Sequence, residues 1–547
     1  MNSYVINELT NIVKDALVNT KYEIDQNLIV VEINKNSALS DYATPIAMVL
    51  AKKYKQRPLD IAQTLVKHIH QKYPLIKKID FVAPGFINID INPAVFSVLL
   101  MKIIKEKSNY GRGEKKNIIF NVEFISANPT GLLHLGHARN GAIGDSLSNI
   151  LALRGYDVIR EYYINDAGKQ ISVLANSIYV NYQNLCGAKL ELPEESYRGT
   201  EIQDATVAFK KEHGIEYYKK PFTAPASLIF QMFGIKYMLN EIKKDLKKFN
   251  IKMDKWFSEL TLYQNNIIPN LIKKLEEQGH TYLLDDGLFL KTTPFGDDKD
   301  RVIVKKDGSY TYMLPDLAYH HVKYQRSDLL INVWGADHYG YIHRIKAGLT
   351  MIGHNANNLD ILCMQMVKVI DNGKEQKMSK RAGTAITLRN MLDIIGVDAL
   401  RYFMVSRSIE SPLDIELEVA KKQTTDNPVF YAQYVHARIN QIIKNQPNFK
   451  IVNEINLLTN HKEKELLITL DEYVLVLQRI ENQHQPHLLT NYIQKLAKLF
   501  HSYYNEYKVI VQDEPLITAQ RLTLVLAIKQ IMANALNLIG VKAPEKM

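Results

Sequence analysis

The chain has 547 residues, which is enough for several domains that each bury a core. Its hydrophobic content of 46% and charged content of 23% exclude a disordered protein. The sequence contains no run of 18 uncharged apolar residues, so no membrane span is predicted. Two distant cysteines, Cys186 and Cys363, exclude a disulfide framework and a cysteine-based zinc site, and the acid-bearing N-terminus is unlike a secretory signal, so we expect a cytoplasmic protein. The formal net charge of +10 favours a polyanionic partner only slightly, since an enzyme with a lysine-rich surface would have the same net charge.

The first hundred residues are predicted to form a separate α+β unit. "LIVVEINKN" is typical of a strand, "TPIAMVLAKKY" and "IAQTLVKHIHQKY" are typical of helices, and "IDFVAPGFINIDI" alternates around a Pro-Gly turn. The lysine-rich stretch "GRGEKKN" then indicates a boundary. We therefore expect the first domain to span residues 1–110.

A strand–helix–strand unit follows from residue 117. "NIIFNVEFI" is typical of a buried strand, "SANPTG" of a turn, and a helix is predicted from about Leu132 to the glycine at position 155. "YDVIREYYI" is the second strand. Such βαβ units build parallel sheets, so the second domain, residues 111–395, is predicted to be of the α/β class.

The rest of this domain is less regular. Residues 170–300 are mostly helical in pattern and are interpreted as an insertion, after which "RVIVKK", "YTYMLPDLAYH" and "LLINVWGADHYG" are strand-like. "ILCMQMVKVIDNGKEQ" predicts a hairpin that turns at residues 371–373. Beyond 390 the pattern is almost entirely helical, so a third, all-α domain is expected over 396–547.

Two histidines mark the predicted start of the helix in the βαβ unit. "GLLHLGHARNG" places His134 and His137 one turn from a helix N-terminus, where unpaired N–H groups attract anions. Imidazole donors there can follow charge onto phosphate oxygens in a transition state, and Gly136 would let a flat base approach the backbone. The alternative is two ordinary surface histidines.

A second motif, "GKEQKMSKRAGT", follows the predicted hairpin. Lys377 and Lys380 stand on either side of Met378 and Ser379 in a glycine-flanked segment. Such lysines can neutralise the β,γ-phosphates of a triphosphate, although an isolated Lys-x-x-Lys is more often a solvated loop.

Together, the two motifs resemble the paired signatures of class I aminoacyl-tRNA synthetases, in the right order and on the right elements. Over essentially the whole chain, the blocks "VEFISANPTGLLHLGHARNGAIGD", "TYMLPDLAYH", "WGADHYGYIHR", "KMSKRAGTAITL" and "GVDALRYFMVSRS" are similar to arginyl-tRNA synthetases of the bacterial type. The first hundred residues resemble the added N-terminal domain of that family.

The resemblance implies a Rossmann-type parallel-sheet catalytic domain with a helical insertion, preceded by an α+β domain and followed by a helical anticodon-binding domain. It implies that L-arginine and ATP, with Mg²⁺, give arginyl-adenylate, and that the arginyl group then passes to the terminal adenosine of tRNA(Arg). Family members are unusual in needing tRNA for the first step, and they are usually monomeric. No resident zinc or other metal, and no membrane, is expected.

Site residues carry over position by position. The resemblance implies catalytic roles for His134, His137, Lys377 and Lys380. It implies that the ATP site is lined by His134, Gly136, His137, Gly335, Asp337, Lys377, Met378, Ser379 and Lys380. It implies that arginine is bound by Glu123, Asn128, Tyr312, Asp316 and His338.

The chemistry of the arginine side chain agrees with this assignment, because a guanidinium is best bound by carboxylates in two-pronged geometry. Asp316 is the expected main partner, with the Tyr312 hydroxyl beside it and Asn128 toward the amino-acid end. Read alone, each of these residues would more often be structural.

Three other functions compete with this interpretation. A nucleotidylyltransferase with a similar histidine motif would be shorter and would lack the helical C-terminal part. A synthetase-like RNA-binding regulator without catalysis should have lost His134, His137, Lys377 or Lys380, and all four are present. A cysteinyl enzyme would need a cysteine-rich zinc site. Arginyl transfer is therefore the favoured interpretation.

Overall fold

The architecture was obtained from a computed structural model, which describes residues 3–20, 22–34, 39–69, 73–376 and 386–547. The N-terminal part packs helices against one face of a four-stranded antiparallel sheet of order β1-β2-β4-β3. Its elements are α1 (Tyr4–Asn19), β1 (Glu32–Ile33), β2 (Tyr42–Thr44), α2 (Ile46–Tyr54), α3 (Pro58–Ile69), β3 (Ile76–Val82), β4 (Phe86–Ile91) and α4 (Phe96–Glu106). The predicted α+β class is confirmed for this part, although the first predicted strand shortens to two residues.

The middle of the chain alternates strands and helices. In chain order its elements are β5 (Ile119–Glu123), α5 (Leu135–Leu153), β6 (Asp157–Ile164), α6 (Lys169–Leu185), α7 (Thr200–His213), α8 (Ala224–Lys248), β7 (Lys255–Ser258), α9 (Leu260–Gln264), α10 (Ile267–Glu277), β8 (Thr281–Leu284), β9 (Gly287–Leu290), β10 (Arg301–Val304), α11 (Met313–Tyr324), β11 (Leu329–Gly335), α12 (Ile342–Met351), β12 (Leu359–Met364), β13 (Val367–Asp371), β14 (Lys374–Glu375), α13 (Leu388–Val405), β15 (Leu413–Glu416) and α14 (Leu417–Ala420).

The C-terminal part is a helical bundle. It consists of α15 (Pro428–Lys444), α16 (His461–Gln483), α17 (His487–Glu506) and α18 (Pro515–Leu538). By length and composition alone α18 could cross a membrane, but 56% of its most apolar window is buried inside the fold. It packs against α15, α16, α17 and α4, as expected for the core helix of a bundle.

The central sheet is parallel and has the order β12-β11-β5-β6-β7. The chain builds β5, β6 and β7 outward in one direction and then returns to add β11 and β12 on the other side. The order reverses between β5 and β11, and in open α/β sheets ligands bind outside the carboxyl ends of the strands at such a point. The predicted parallel sheet is confirmed, and β7 belongs to it although it lies within the range interpreted as an insertion.

Two predicted elements differ from the structure. The strand-like "YTYMLPDLAYH" forms most of α11, because Met313, Leu314, Leu317 and Ala318 fall at helical spacing and are buried, and proline is tolerated in a first helical turn. The predicted hairpin divides between two sheets: β12 joins the parallel sheet, whereas the turn lies between β13 and β14 as expected.

The histidine-bearing helix α5 begins at Leu135, three residues later than predicted. It is buried on nearly all sides, including its polar residues Arg139, Asn140 and Asp145, because it lies between the sheet and the C-terminal bundle. Gly155, with φ +96°, follows its end as predicted.

Candidate active site

The two histidines cap the N-terminus of α5. His134 is the N-cap residue, and its Nδ1 accepts a hydrogen bond from the backbone N–H of Gly136 at 3.1 Å. The backbone N–H of His134 in turn donates to Nδ1 of His137 at 3.3 Å, and the two rings stack with centroids 3.7 Å apart. Because both Nδ1 atoms accept, the proton of each neutral ring lies on Nε2. The arrangement therefore provides two parallel imidazole donors at a helix N-terminus.

Gly136 leaves room for this stacking as well as for any approach of a base. A Cβ atom at this position would lie 3.0 Å from Cε1 and 3.2 Å from Nδ1 of His134. A side chain there would therefore require the first ring to shift by a few tenths of an ångström.

The histidine cap is tied to the start of α13. The backbone N–H of Leu388 donates to the carbonyl of Leu133 at 2.7 Å, and His134 forms a bridge with Thr387. Lys377, Met378, Ser379 and Lys380 lie outside the described residues.

The loop after β11 lies at the same edge of the sheet, since β11 and β5 are neighbours. Gly335 begins the short 3₁₀ segment Ala336–Tyr341, and a Cβ atom on it would lie 2.5 Å from Oδ1 of Asp337. The side chains of Asp337 and His338 are 81% and 61% exposed and approach each other to 3.6 Å. Both therefore face open space at the edge where the sheet order reverses.

Asn140 joins the segment after β5 to β11, and no sequence pattern indicates this role. Its Oδ1 accepts from the backbone N–H of Ile125 at 2.6 Å, and its Nδ2 donates to the carbonyl of Val333 at 2.7 Å. One buried amide thus fixes α5 against the ends of both β5 and β11.

Glu123, at the end of β5, is buried and already paired. Its Oε2 lies 2.9 Å from Nζ of Lys323, a fully buried lysine on α11, and its Oε1 accepts from the Ser126 hydroxyl at 3.0 Å. Lys323 also donates to Oδ1 of Asn332 at 2.6 Å. A buried carboxylate is stable only with such partners, so Glu123 and Lys323 form a neutral floor beneath the strand ends.

His320 completes this floor. Its Nε2 accepts from Nδ2 of Asn332 at 2.7 Å, which leaves Nδ1 as the donor to the carbonyl of Asp316 at 2.8 Å. Burial, together with the nearby charge of Lys323, lowers the pKa of His320 to about 3. The ring is therefore neutral at pH 7 and acts as packing with satisfied hydrogen bonds.

Asp316 lies in the first turn of α11 and is only partly covered. Burial raises the pKa of Asp316 to about 7, and the charges of Glu123 and Glu259 raise it too, whereas the nearby Tyr341 hydroxyl and the charge of Lys323 lower it. In the part of the chain that the structure describes, no lysine or arginine forms an ion pair with this carboxylate. A cation bound beside it would therefore relieve an unfavourable charge.

Glu259 is a second carboxylate of the same kind, and sequence reasoning missed it. It is buried at the end of β7, and it accepts from the Tyr263 hydroxyl at 3.2 Å. Burial raises the pKa of Glu259, partly opposed by hydrogen bonds from Tyr163 and Tyr263. It lacks an ion-pair partner among the described residues, as Asp316 does.

Tyr312 lies differently from expectation, whereas the predicted role of Asn128 stays a prediction. The side chain of Tyr312 is 89% exposed, and only its carbonyl contacts Asp316, by accepting from the backbone N–H at 3.4 Å. The phenol that lies near Asp316 is instead that of Tyr341. Asn128 is half-buried in the turn after β5 and donates to Oε1 of Gln170 at 2.6 Å, which brings it to the start of α6.

Comparison with known sequences decides the family. A profile described as the catalytic domain of class I tRNA synthetases (R) matches residues 95–445, one described as the arginyl tRNA synthetase N terminal domain matches 7–91, and one described as the DALR anticodon binding domain matches 432–547. The chain belongs to the arginyl-tRNA synthetase family.

Full-length relatives agree with this assignment. The chain is 42% identical to the arginine–tRNA ligase of Mesoplasma florum over 552 residues, which is 98% of this chain and 100% of that protein. It is 44% identical to the arginine–tRNA ligase of Staphylococcus carnosus over 528 residues, 94% of each. The solved arginyl-tRNA synthetase of Thermus thermophilus shares the fold, with a TM-score of 0.77 at 19% identity over 99% of this chain and 100% of that one.

The family assignment confirms the predicted fold class, with its N-terminal, class I catalytic and C-terminal helical parts. The catalytic and anticodon-domain matches overlap at residues 432–445, whereas the sequence predicts boundaries at 110 and 395. Those boundaries stay predictions.

Proposed function

We propose that this chain is an arginine–tRNA ligase that makes arginyl-adenylate from L-arginine and ATP and transfers the arginyl group to tRNA(Arg). The observation that supports arginine as the substrate is the pair of carboxylates, Asp316 and Glu259, which have no ion-pair partner among the described residues. They lie beneath the sheet edge that also bears His134 and His137. A guanidinium, with its donors arranged as a planar fork, is the cation that suits two carboxylates.

In the first step, a carboxylate oxygen of arginine attacks the α-phosphorus of ATP, and the bond to the pyrophosphate oxygen breaks. Charge grows on the phosphate oxygens, where the Nε2–H groups of His134 and His137 at the N-terminus of α5 are proposed to stabilise it. Lys377 and Lys380 are proposed to neutralise the leaving pyrophosphate. In this mode one lost donor costs about 10²–10³ in rate.

In the second step, the 2′-hydroxyl of the terminal adenosine attacks the carbonyl carbon of the adenylate. The bond between that carbon and the phosphate oxygen breaks, AMP leaves with the bonding electron pair, and the proton of the attacking hydroxyl is released to AMP or to water. The proposed contribution of the chain is positioning and charge stabilisation, so no side chain forms a covalent intermediate.

The remaining site residues are assigned by position. Gly136 keeps the histidine cap open, and Gly335 and Asp337 are proposed to line the adenylate ribose, with Met378 and Ser379 beside the phosphates. Asn128 and His338 are proposed for the amino-acid end of arginine. Tyr312 is proposed to cover the guanidinium from its exposed position. Glu123 is proposed to form the floor of the arginine pocket together with Lys323.

Mg²⁺ is proposed to enter with ATP. This ion is held mainly by phosphate oxygens and water, so the protein need supply one or two carboxylates at most. In the described ranges, no group of three or more His, Cys, Asp or Glu side chains is placed to hold a metal ion. A cytoplasmic location and a monomeric state stay predictions.

Charging of tRNA(Arg) with arginine and with citrulline tests the proposal. Citrulline replaces the guanidinium by a neutral ureido group of nearly the same shape, which would leave both carboxylates badly paired. We expect arginine to be charged and citrulline to be disfavoured by about 10⁴–10⁵ in kcat/KM. Equal charging of the two, or charging of neither, would contradict the proposal.

A further inference from the structure

A basic groove lies where the catalytic part meets the C-terminal bundle. It consists of two adjoining cavities of about 500 and 460 Å³ that share Asn250 and Lys252. We use "basic groove" for the surface formed by Lys243, Lys247, Asn250, Lys252, Trp256, Asp145, Arg160, Asp254, Asn537 and Lys542. None of these residues belongs to the site described above.

The sequence "KKDLKKFNIKMDKW" produces the lysine side of this groove. Lys243 and Lys247 are four residues apart on α8, so they share one face of the helix. The chain then turns at Asn250, with φ +58°, and brings Lys252 alongside before β7 begins. The lysines stand above an apolar floor that includes Leu246, which their aliphatic stems can cover.

The acids of the groove are occupied by arginines, whereas its lysines are not paired. Asp145 is engaged by Arg401 at 2.7 Å and by Arg160 at 3.5 Å, and Asp254 lies 3.6 Å from Arg160. Among the described residues, none of the four groove lysines forms an ion pair through its side chain. The groove therefore presents a net positive surface of exposed ammonium groups.

Trp256 helps to position one of those groups. Its ring stacks on Tyr162 with centroids 4.6 Å apart, and Nζ of Lys243 lies 4.8 Å from its centroid. A cation–π contact of this kind restrains the lysine. Because the ring is already engaged, it is poorly placed to stack on a nucleobase.

We propose that the basic groove binds the ribose–phosphate backbone of the tRNA between its two ends, an inference that rests on the proposed function. Such an RNA must reach the sheet edge of the catalytic part and also the C-terminal helices, and it has to cross their junction. The groove spans that junction, with Lys252 on one side and Asn537 and Lys542 on the other. Lysine and asparagine donors without an available aromatic face suit phosphates rather than bases.

The alternative to RNA binding, for part of this surface, is that the lysines only stabilise the fold. Lysines in the last turn of a helix interact favourably with its dipole, and Lys247 lies in the last turn of α8. That role predicts a loss of stability when the charge is removed, without a change in RNA affinity. Lys252 lies beyond the helix, so the dipole does not account for it.

The test compares two triple variants of the full chain with equal loss of charge. The groove variant is Lys243→Gln/Lys247→Gln/Lys252→Gln, and the control is Lys273→Gln/Lys299→Gln/Lys305→Gln, whose exposed lysines do not line the groove. Direct binding of a tRNA(Arg) transcript is measured from about 50 to 200 mM salt, together with KM values for tRNA, arginine and ATP.

We expect the groove variant to bind tRNA at least about tenfold more weakly, with a salt slope smaller by about one for each lost contact. Its KM values for arginine and ATP should stay within about twofold of wild type. Replacement of the same three lysines by arginine, which retains the charge, should retain affinity, as should the control.

Equal tRNA affinity and salt slope in the groove and control variants would overturn the proposal. So would a lower melting temperature of the groove variant with unchanged tRNA affinity, which would assign the lysines to helix stability. Failure of the wild-type chain to charge arginine would instead overturn the proposed function, and the binding comparison would still decide the role of the groove.

Discussion

At the scale of single residues, Asp316 separates arginine binding from the rest of the site. Asp316→Asn retains the shape but removes the charge that faces the guanidinium, so we expect kcat/KM for arginine to fall by about 10²–10⁴. The melting temperature should not decrease, because burial raises the pKa of Asp316 and its charge is not stabilising in the empty site. Arginine-dependent activation at wild-type arginine concentrations would remove Asp316 from the pocket.

The raised pKa of Asp316 also predicts a pH dependence of arginine binding. With a pKa of about 7 in the empty site, the carboxyl is protonated below pH 7, and arginine must displace that proton to bind. KM for arginine should therefore rise by up to about tenfold for each pH unit below 7 and level off above it. The profile measured with Asp316→Asn should lack this rise, and an identical rise in both proteins would contradict the assignment.

Substitution of Lys323 tests whether the buried ion pair with Glu123 stabilises the floor of the same pocket. Lys323→Met leaves the Glu123 carboxylate buried without its cation, and we expect the free energy of unfolding to fall by about 3–5 kcal/mol. Lys115→Met removes a lysine from an exposed pair with Asp157 and should cost no more than about 1 kcal/mol. Urea unfolding checks both, and equal effects would show that the buried pair has no special role.

At the scale of elements, the sequence predicts those helices, strands and turns that depend on residues close together in the chain. The strand, turn and helix around "VEFISANPTGLLHLGHARNG" follow from buried-strand residues, the turn residues of "SANPTG" and the helical pattern after them. The predicted start of α5 near Leu132 is three residues too early, because Leu132 and Leu133 are apolar like the helix that follows, whereas His134 acts as the cap.

The parts that were missed depend on contacts between distant positions. Lys323 lies 200 residues from Glu123. Glu259 precedes Asp316 by about 57 residues and comes near enough to affect its charge only in the folded chain. Tyr341 is adjacent to Asp316 in space but separated from it by all of β11. The spacing of residues in the sequence contains no signal for such pairs, so only the three-dimensional fold reveals them.

Asn140 provides a prediction at this scale. Asn140→Ala leaves the Ile125 N–H and the Val333 carbonyl unpaired, and it loosens α5 from the ends of β5 and β11. A displacement of the histidines relative to the loop after β11 should lower kcat/KM for ATP by about 10²-fold. A lower melting temperature with unchanged ATP kinetics would limit Asn140 to a structural role.

At the scale of the whole molecule, single buried residues connect the three parts of the chain. Arg401, in the "DALR" element, donates to Asp145 on α5 at 2.7 Å and to the carbonyl of Ile539 at 2.9 Å. Asp471 on α16 accepts from the Ser3 and Tyr42 hydroxyls of the N-terminal part. The catalytic, N-terminal and C-terminal parts are therefore held in one arrangement through polar contacts that remain specific because they are buried.

Asp471 should make this arrangement depend on pH. Burial raises the pKa of Asp471 to about 6, above its unfolded value, so the folded chain binds more protons than the unfolded chain between about pH 4 and 6. The contribution of this residue to stability should therefore decrease as the pH rises through that range. In Asp471→Asn this part of the pH dependence should disappear, and parallel stability curves for the two proteins would contradict the assignment.

Asp316 and Glu259 are proposed to select arginine for activation by ATP. Arginine-dependent exchange of pyrophosphate into ATP, measured with the purified chain with and without tRNA(Arg), is the decisive experiment. We predict exchange with arginine when tRNA is present, and its absence without tRNA would extend the family's coupling to this chain. No exchange in either condition, from a folded protein supplied with its tRNA, would contradict the claim.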